Sequence, residues 1–343
     1  MDLQTLYLKI KKHIETIDFS LLWKDFIPLK FALYNENECY FDGEYIEKTE
    51  ELLANTSILF HGEHIAIWNV VKEIDDVILT SKIVHEMFHA FQQINCEVRF
   101  PNELEALSKY RYTTDNLSIK LEENLLIAKL IGHFDRNEFD RLLALRKYRL
   151  LRHEYEYLYE AAVEQIEGTA NYVELGVLKQ LSKETFENTL SEILNRIQQP
   201  VSLIPIRIIS YSVGALFFHI LKENSITDFE HFANQATAIS ILENKLSYIG
   251  TPINSSQIQT VVDAYHQETN KIITSALTSG YCEDVGEFDL LGVNIYNARY
   301  QNRYIVSTFF VMYGFKEKPK VLYGDFVVAL SESGKATRII RIK

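Results

Sequence analysis

The chain has 343 residues, of which 47% are hydrophobic and 24% are charged, and its formal net charge is −12. This composition is ordinary for a globular protein and excludes intrinsic disorder of the whole chain. Acidic residues outnumber basic ones by 47 to 35, so the long-range field repels phosphate and we predict no nucleic-acid partner.

The first 74 residues are predicted to form a small region in which helices and strands are mixed. Apolar residues recur at helical spacing over 3–17, and the segment 49–55 is a candidate short helix. Other segments are rich in aromatic and β-branched residues and are bounded by Asn, Gly and Pro, which is typical of strands. We predict strands with a turn over 31–35 and 38–46, and two further strands at 57–60 and 64–69.

Residues 75–280 are predicted to form a large helical body. It begins with a long amphipathic helix over 75–96. Proline and glycine at Pro200, Gly250 and Gly280 interrupt the helical pattern that follows. We predict helices at 102–113, 116–132, 137–151, 154–181, 184–196, 203–223, 227–248 and 256–277.

The most apolar segment is Val201–Leu221, but it contains Pro205, Arg207 and His219. A buried core helix is therefore a better interpretation than a membrane span, and we predict no membrane partner.

Three cysteines at irregular spacing do not form a disulfide framework, and the N-terminal segment lacks a signal-peptide pattern. These features predict a soluble, cytoplasmic protein.

The pattern changes from helix to strand after Gly280, where we place the clearest domain boundary. Four strand-like segments follow, separated by Asn, Gly, Pro and Ser, and they predict a small antiparallel β unit over 281–343. The predicted fold class is α+β and mainly helical, with one large domain over 1–280 and the β unit after it. The sequence decides neither the role of this unit nor the oligomeric state.

The sequence HEMFH at 85–89 lies within the predicted helix 75–96 and is an HExxH motif. Positions four apart lie on one face of a helix, so His85 and His89 can bind the same zinc ion. Glu86 projects towards the open side of that ion, where it can take a proton from zinc-bound water and pass it to a leaving amine. Apolar flanking residues favour a metal site over an exposed polar face, because unpaired buried His and Glu are costly.

Two histidines are too few for a stable zinc site, so a third ligand must come from elsewhere. A polar stripe on the predicted helix 154–181 comprises Glu160, Glu164, Glu167, Asn171 and Glu174. For most of this stripe we expect a solvated face. Glu167 differs because Gly-Thr-Ala follows it at 168–170. These small residues let a neighbouring helix come close, and glycine inside a helix costs about 1 kcal/mol relative to alanine. Glu167 is the first candidate ligand and Glu164 the second.

HEMFH followed by EGTANY at 167–172 resembles the gluzincin-type zinc metallopeptidases. That group shares an HExxH helix and a downstream glutamate ligand, often in an E-G-x-A-like segment. The resemblance covers well under half of the chain. It implies a zincin-like fold in which His85, His89 and Glu167 bind Zn²⁺ and Glu86 is the general base.

The resemblance implies roles for other segments. Tyr211 opens a segment similar to the Y-x-x-G of the aminopeptidase branch, where the tyrosine hydroxyl donates to the oxyanion of the transition state. Tyr172 is the alternative donor.

Asn171 holds the position from which a side chain orients the first histidine in the thermolysin-like branch, so its oxygen is expected to accept a hydrogen bond from Nδ1 of His85. The strand 64–69 corresponds to the sheet edge that holds extended peptide in zincins.

The sequence also differs from those families. The Gly-x-Met-Glu-Asn segment that binds the substrate amino terminus in aminopeptidases is absent, as are the third histidine and Met-turn of the metzincins. The separation between His89 and Glu167 is longer than in thermolysin. The helices over 102–151 are therefore expected to form an insertion beside the cleft.

We predict a zinc-dependent peptidase that acts on a peptide substrate, with Glu86 as base and then acid and with Tyr211 polarising the carbonyl. Two alternatives stay open. The same site could hydrolyse a small amide, which a closed pocket would favour over an open cleft beside an edge strand. A non-catalytic zincin-fold binding protein is the other alternative, but a binding-only site does not need Glu86.

Overall fold

A computed structural model describes residues 2–232, 235–247 and 255–343. They form an α+β structure that contains a small mixed sheet near the N-terminus and a larger antiparallel sheet at the C-terminus. The predicted fold class is confirmed at this level of architecture. Within the described residues, no helix is both long and apolar enough to cross a membrane.

The N-terminal sheet has the strand order β3-β2-β1-β5-β4, in which β1 and β5 are parallel and the other neighbours antiparallel. Its elements are α1 (Leu3–Thr16), β1 (Phe31–Tyr34), β2 (Cys39–Phe41), β3 (Glu44–Ile46), β4 (Thr56–Phe60) and β5 (Glu63–Asn69). Alternate residues of a strand point to opposite faces. Phe31 and Leu33 accordingly lie in the main core, and Ala32 and Tyr34 lie in a smaller cluster on the other face.

Two expectations for this region are wrong. The segment 49–55 forms turns and bends rather than a helix, because Leu52 alone is buried against the sheet and no helical face is needed to bury one residue. The segment 64–69 is not a sheet edge. β5 is hydrogen-bonded to β1 on one side and to β4 on the other.

The HEMFH motif lies on α2 (Asp76–Ile94), between the N-terminal sheet and the helical body. Asp75 caps this helix, since its Oδ1 accepts hydrogen bonds from the N–H groups of Val77 and Ile78 at 3.0 Å each. Its apolar face is fully buried and includes Val84, Met87 and Phe88. This packing fixes the opposite face, which carries the two histidines.

The helical body agrees with most of the predicted helices. It includes α3 (Glu103–Lys109), α4 (Thr114–Gly132), α5 (Arg136–Arg152), α6 (Glu154–Val163), α7 (Thr169–Leu181), α8 (Lys183–Ile197), α9 (Ile206–Glu223), α10 (Thr237–Ser240) and α11 (Ser255–Ser279). A π-helical turn, Glu164–Gly168, joins α6 to α7. The apolar segment that begins at Val201 supplies α9, a buried core helix as predicted.

The predicted helix over 227–248 is wrong where the structure describes it. Only Thr237–Ser240 is α-helical there, and the end of the range lies outside the described residues. Phe229 is buried, and its ring packs against the rings of Trp23 and Tyr172. Burial of this ring by distant parts of the chain outweighs the local helical pattern.

The π turn and α9 cross at two glycines. A Cβ added to Gly168 would lie 2.7 Å from Cα of Gly214, and one added to Gly214 would lie 2.8 Å from Cα of Gly168. Only glycine permits so close an approach of two backbones. The expectation that small residues after Glu167 admit a neighbouring helix is therefore confirmed.

The C-terminal sheet has the order β10-β9-β6-β12-β11-β8-β7, with all neighbours antiparallel. Its strands are β6 (Tyr281–Val293), β7 (Arg299–Gln301), β8 (Tyr304–Ser307), β9 (Phe310–Phe315), β10 (Lys318–Tyr323), β11 (Phe326–Leu330) and β12 (Ala336–Arg341). Turns divide each of the first three predicted strands into two. The sheet packs against α11 through Ile273 and Ala276 and against α3 through Leu104 and Leu107.

Candidate metal centre

The three predicted metal ligands meet in space, although Glu167 follows His89 by 78 positions. Nε2 of His89 lies 3.1 Å from Nε2 of His85 and 3.3 Å from Oε2 of Glu167. Nε2 of His85 lies 3.9 Å from the same oxygen. Among the described residues, this is the group of His, Cys, Asp and Glu side chains with the spacing of a metal site.

These distances fit a tetrahedral ion. Zinc bonds of about 2.0–2.1 Å at tetrahedral angles place ligand atoms about 3.3 Å apart. The three observed separations, from 3.1 to 3.9 Å, bracket that value. Two nitrogens and one carboxylate oxygen are also a donor set that zinc accepts, and three protein ligands leave a fourth position open.

The π turn between α6 and α7 carries two glutamates that point to different places. Glu164 and Glu167 lie on the same turn, and the wider turn changes the helical phase between the residues before and after it. Glu164, the alternative third ligand, is buried and is held by Lys120 at 3.2 Å and by Arg146 at 2.9 Å. It does not reach the histidines, so of the two candidates only Glu167 joins the cluster.

His89 is oriented by Gln92, which lies on the same helix and is almost fully buried. The Gln92 amide nitrogen donates to the carbonyl of Ile166 at 3.0 Å and to Oγ1 of Thr169 at 3.1 Å. Its Oε1 therefore faces Nδ1 of His89, at 2.8 Å. The proton of the ring belongs on Nδ1 in this arrangement, which leaves the lone pair of Nε2 for a metal.

His85 is contacted by Glu174 rather than by Asn171, so the expectation for Asn171 is wrong. Oε2 of Glu174 lies 3.2 Å from Nδ1 of His85, although the ring N–H is not well aligned with it. Lys82 holds the other oxygen of Glu174 at 3.1 Å. Asn171 lines the adjoining cleft. The wider π turn carries the residues after it to a different phase, which places Glu174 one turn further on against the ring.

The second carboxylate oxygen of Glu167, Oε1, accepts a hydrogen bond from an arginine. Nη2 of Arg207 donates to it at 2.9 Å, and Nη1 of the same arginine donates to Glu103. The rings of Tyr211 and Tyr296 lie 5.2 and 5.9 Å from the guanidinium. Tyr296 belongs to the connection between β6 and β7, so the C-terminal sheet contributes to the surroundings of the cluster.

The charges of this centre do not balance. Four carboxylates (Glu86, Glu103, Glu167 and Glu174) face two cations (Lys82 and Arg207), which leaves −2 when both histidines are neutral. Burial opposes ionisation, yet the Glu167 carboxylate raises the pKa of His89 to about 9 and the histidines lower the pKa of Glu167 to about 2. The centre therefore attracts positive charge, and one divalent ion would neutralise it.

Glu86 and Tyr211 line a cleft of about 370 Å³ together with His85. Burial raises the pKa of Glu86 and that of Tyr211. The buried Tyr211 hydroxyl has no hydrogen-bond partner among the described residues. Tyr172, the alternative donor, packs edge-on against Phe229 and is not among the residues that line this cleft.

The expectation of a solvated polar stripe is wrong at its N-terminal end. Glu160 and Glu164 are 1% and 2% exposed. They belong to a set of six charged residues, which we call the buried ion cluster: Lys120, Glu123, Arg146, Arg149, Glu160 and Glu164. The three cations come from α4 and α5, which lie in the chain between α2 and the π turn.

Sequence reasoning missed Arg207, Gln92 and the role of Glu174. A signal existed for each of them. Arg207 is a charged residue near the start of an apolar helix, and such a residue requires a partner when it is buried. Gln92 lies three positions after His89, on the same helix face. Glu174 was the last member of the polar stripe on the Glu167 helix.

No model of a known protein family matches the sequence, and no curated protein and no solved structure matches it either.

Proposed function

We propose that the chain is a zinc-dependent hydrolase that cleaves peptide bonds. The observation that carries this proposal is the convergence of His85, His89 and Glu167 at separations that suit one tetrahedral ion. Glu86 supports it, because a carboxylate next to a zinc ligand on the same helix is placed to move a proton at the open position.

Bound zinc would polarise the scissile carbonyl and lower the pKa of a coordinated water to ~7. The proposal assigns the remaining work to the chain's own residues. The Glu86 carboxylate takes the proton of the attacking water and returns it to the departing amine nitrogen. Burial raises the pKa of Glu86, whereas a bound cation would lower it, and a carboxylate held between these opposing effects can both accept and return a proton.

Tyr211 is assigned as the donor to the oxyanion. Its hydroxyl is buried beside the cleft and lacks a partner among the described residues, so it is available for an oxygen that becomes negative only in the transition state. Burial raises its pKa, which keeps the proton on the hydroxyl at neutral pH. Donors of this kind typically contribute ~10²–10³-fold to the rate.

We assign the positioning of the three metal ligands to Gln92, Glu174 and Arg207. Gln92 fixes the tautomer and ring plane of His89, Glu174 restrains His85, and Arg207 holds the outer oxygen of Glu167. Groups that orient ligands in this way influence metal affinity as well as geometry. The resemblance of HEMFH and EGTANY to gluzincin metallopeptidases agrees with the ligand and base assignments.

Hydrolysis of a small amide is a second candidate, and two observations favour it. β5 pairs with β4 over 63–67 and with β1 over 66–69, so it is an interior strand of the sheet and not an edge strand to which an extended peptide would add beside the motif helix. The cleft volume of about 370 Å³ also lies near the lower end of the ~300–1,000 Å³ that is common for small-ligand sites. Both observations favour a short substrate.

The test is hydrolysis by zinc-loaded protein of a quenched peptide library and of amino-acid amides, with Glu86→Gln as the inactive variant. We expect turnover that a chelator abolishes and that Glu86→Gln lowers by ~10²–10⁴-fold while zinc content stays the same. Glu187→Gln, the same change at an exposed position of α8, is the matched control. Equal activity of wild type and Glu86→Gln, or no turnover of either substrate set, would contradict the proposal. Turnover of amides alone would select the second candidate.

A further inference from the structure

Arg196 is a cation on the wall of the candidate cleft. It lies on α8 and lines the same cavity as His85, Glu86 and Tyr211. Its Nη2 donates to Oγ of Ser212 at 2.6 Å, and Ser212 is fully buried on α9. The guanidinium is thus anchored at one nitrogen to the helix that also carries Tyr211.

Arg196 has no ion-pair partner among the described residues. Glu192 lies one turn earlier on α8, where a glutamate and an arginine four apart commonly pair. Their charged atoms are more than 4 Å apart here, and the guanidinium is hydrogen-bonded to Ser212 instead. Lys82, the other cation of the cleft, is already paired with Glu174.

A guanidinium anchored in this way has N–H groups left for a ligand. Arginine presents its donors as a planar fork, which matches the two oxygens of a carboxylate. Apolar side chains of Trp68, Ile193 and Ile208 line the same cavity and would contact the uncharged part of a substrate. Since the chain as a whole carries −12, a local cation is needed for an anionic substrate to bind here.

We propose that Arg196 binds a carboxylate of the substrate, so that the cleft selects short acidic peptides. This inference rests on the proposed hydrolase function. The carboxylate has two sources, the free C-terminus of the peptide or an Asp or Glu side chain near the scissile bond. The small cavity places Arg196 within a few residues of the bond that is cleaved, since an extended chain advances only ~3.3 Å per residue.

The kinetic test uses peptides that differ in one carboxylate. Pairs with Glu against Gln, and pairs with a free C-terminus against a C-terminal amide, separate the two sources. For the zinc-loaded wild type we expect kcat/KM to favour the acidic member of one pair by roughly 10- to 100-fold, as for a charge-assisted hydrogen bond. Arg196→Gln is expected to abolish this preference, measured as the ratio of kcat/KM between the two members of each pair.

Arg196→Lys keeps the charge without the fork and is expected to retain only part of the preference. Lys183→Gln removes one positive charge from an 85% exposed position at the start of the same helix and is expected to retain all of it. A wild-type enzyme that does not distinguish either pair, or a preference that survives Arg196→Gln, would overturn the assignment.

A binding measurement separates failure of this inference from failure of the hydrolase proposal. The probe is N-acetyl-Ala-Glu, titrated calorimetrically into zinc-loaded wild type and Arg196→Gln, with N-acetyl-Ala-Gln amide as the uncharged control. If wild type cleaves nothing, weaker binding of the acidic probe to Arg196→Gln still supports the carboxylate site. Equal binding to both proteins overturns it, and circular dichroism of the two establishes that both are folded.

Discussion

Glu164 and Glu167 lie three residues apart on one π turn, but they belong to clusters of opposite character. Glu164 belongs to the buried ion cluster, whose six members are at most 2% exposed. Three carboxylates face three cations there, so the formal charge is zero. Glu167 belongs to a centre that adjoins a cleft and has an excess of −2 when its histidines are neutral.

The comparison separates a structural role from a ligand role. A buried charge is tolerated when it is paired and hydrogen-bonded, and the buried ion cluster meets this condition with side chains alone. The candidate metal centre does not meet it, because its two imidazole nitrogens and one carboxylate oxygen lie within 4.8 Å of one another, and each offers a lone pair when the histidines are neutral with their protons on Nδ1. Such an arrangement needs a proton or a cation at its middle.

The largest difference is expected when each glutamate is made neutral. Glu164→Gln leaves Arg146 and Lys120 without a full countercharge in a fully buried place, so we expect the free energy of unfolding to fall by about 3–5 kcal/mol. Glu167→Gln leaves Arg207 its ion pair with Glu103 and reduces an existing excess of negative charge, so it is expected to cost less, about 1–2 kcal/mol. Urea unfolding with a chelator present measures both, since metal linkage is then removed. Equal losses would refute the distinction between the clusters.

A smaller effect is expected at the contact with His85. Glu174→Gln is expected to weaken zinc binding by ~10–100-fold, as is usual for groups that orient a metal ligand. Asn171→Ala is the matched control, because Asn171 lies on the same helix and lines the cleft but does not contact His85. Competition with a zinc indicator gives both affinities. A loss with Asn171→Ala and none with Glu174→Gln would restore the arrangement expected from the sequence.

The difference between Glu174 and Asn171 indicates where sequence reasoning ends. HEMFH and EGT were enough to predict that His85, His89 and Glu167 come together, because the helical period and the small residues are local properties of the sequence. The π turn is not visible in the local sequence pattern, and it changes which residue of α7 faces the histidines. The helical phase expected for the stripe was therefore wrong after the turn, at Asn171, and Glu164 on the turn itself is buried rather than solvated.

The same limit applies to the fold. Amphipathic helices such as α2, α4 and α5 were predicted closely, since their periodicity is carried within each segment. The pairing of β5 on both sides depends on β1 and β4, and the segment around Phe229 depends on contacts with Trp23. Long-range contacts of this kind are not encoded in the local pattern.

The smallest effect concerns the titration of the buried ion cluster. Burial alone would raise the pKa of Glu160, but Arg149 and Lys120 outweigh it and lower the pKa to about 2. Because the unfolded-state pKa is ~4.3, the resulting stabilisation is complete above that pH and is lost as the pH falls towards 2.

Carboxyl ¹³C NMR at pH 3.5, with Glu160→Gln to assign the resonance, is expected to find Glu160 still ionised when exposed glutamates are mostly protonated. Protonation of Glu160 in the same pH range as the exposed glutamates would show that Arg149 and Lys120 do not lower its pKa.

The most direct test of the account is the metal content of the purified protein, measured by plasma mass spectrometry without a chelating tag. After reconstitution with zinc we expect about one ion per chain in wild type and in Asn171→Ala. His89→Ala and Glu167→Gln, checked for folding by circular dichroism, are expected to bind almost none. Wild type without zinc, or full zinc content in Glu167→Gln, would contradict the assignment of His85, His89 and Glu167 as the metal centre.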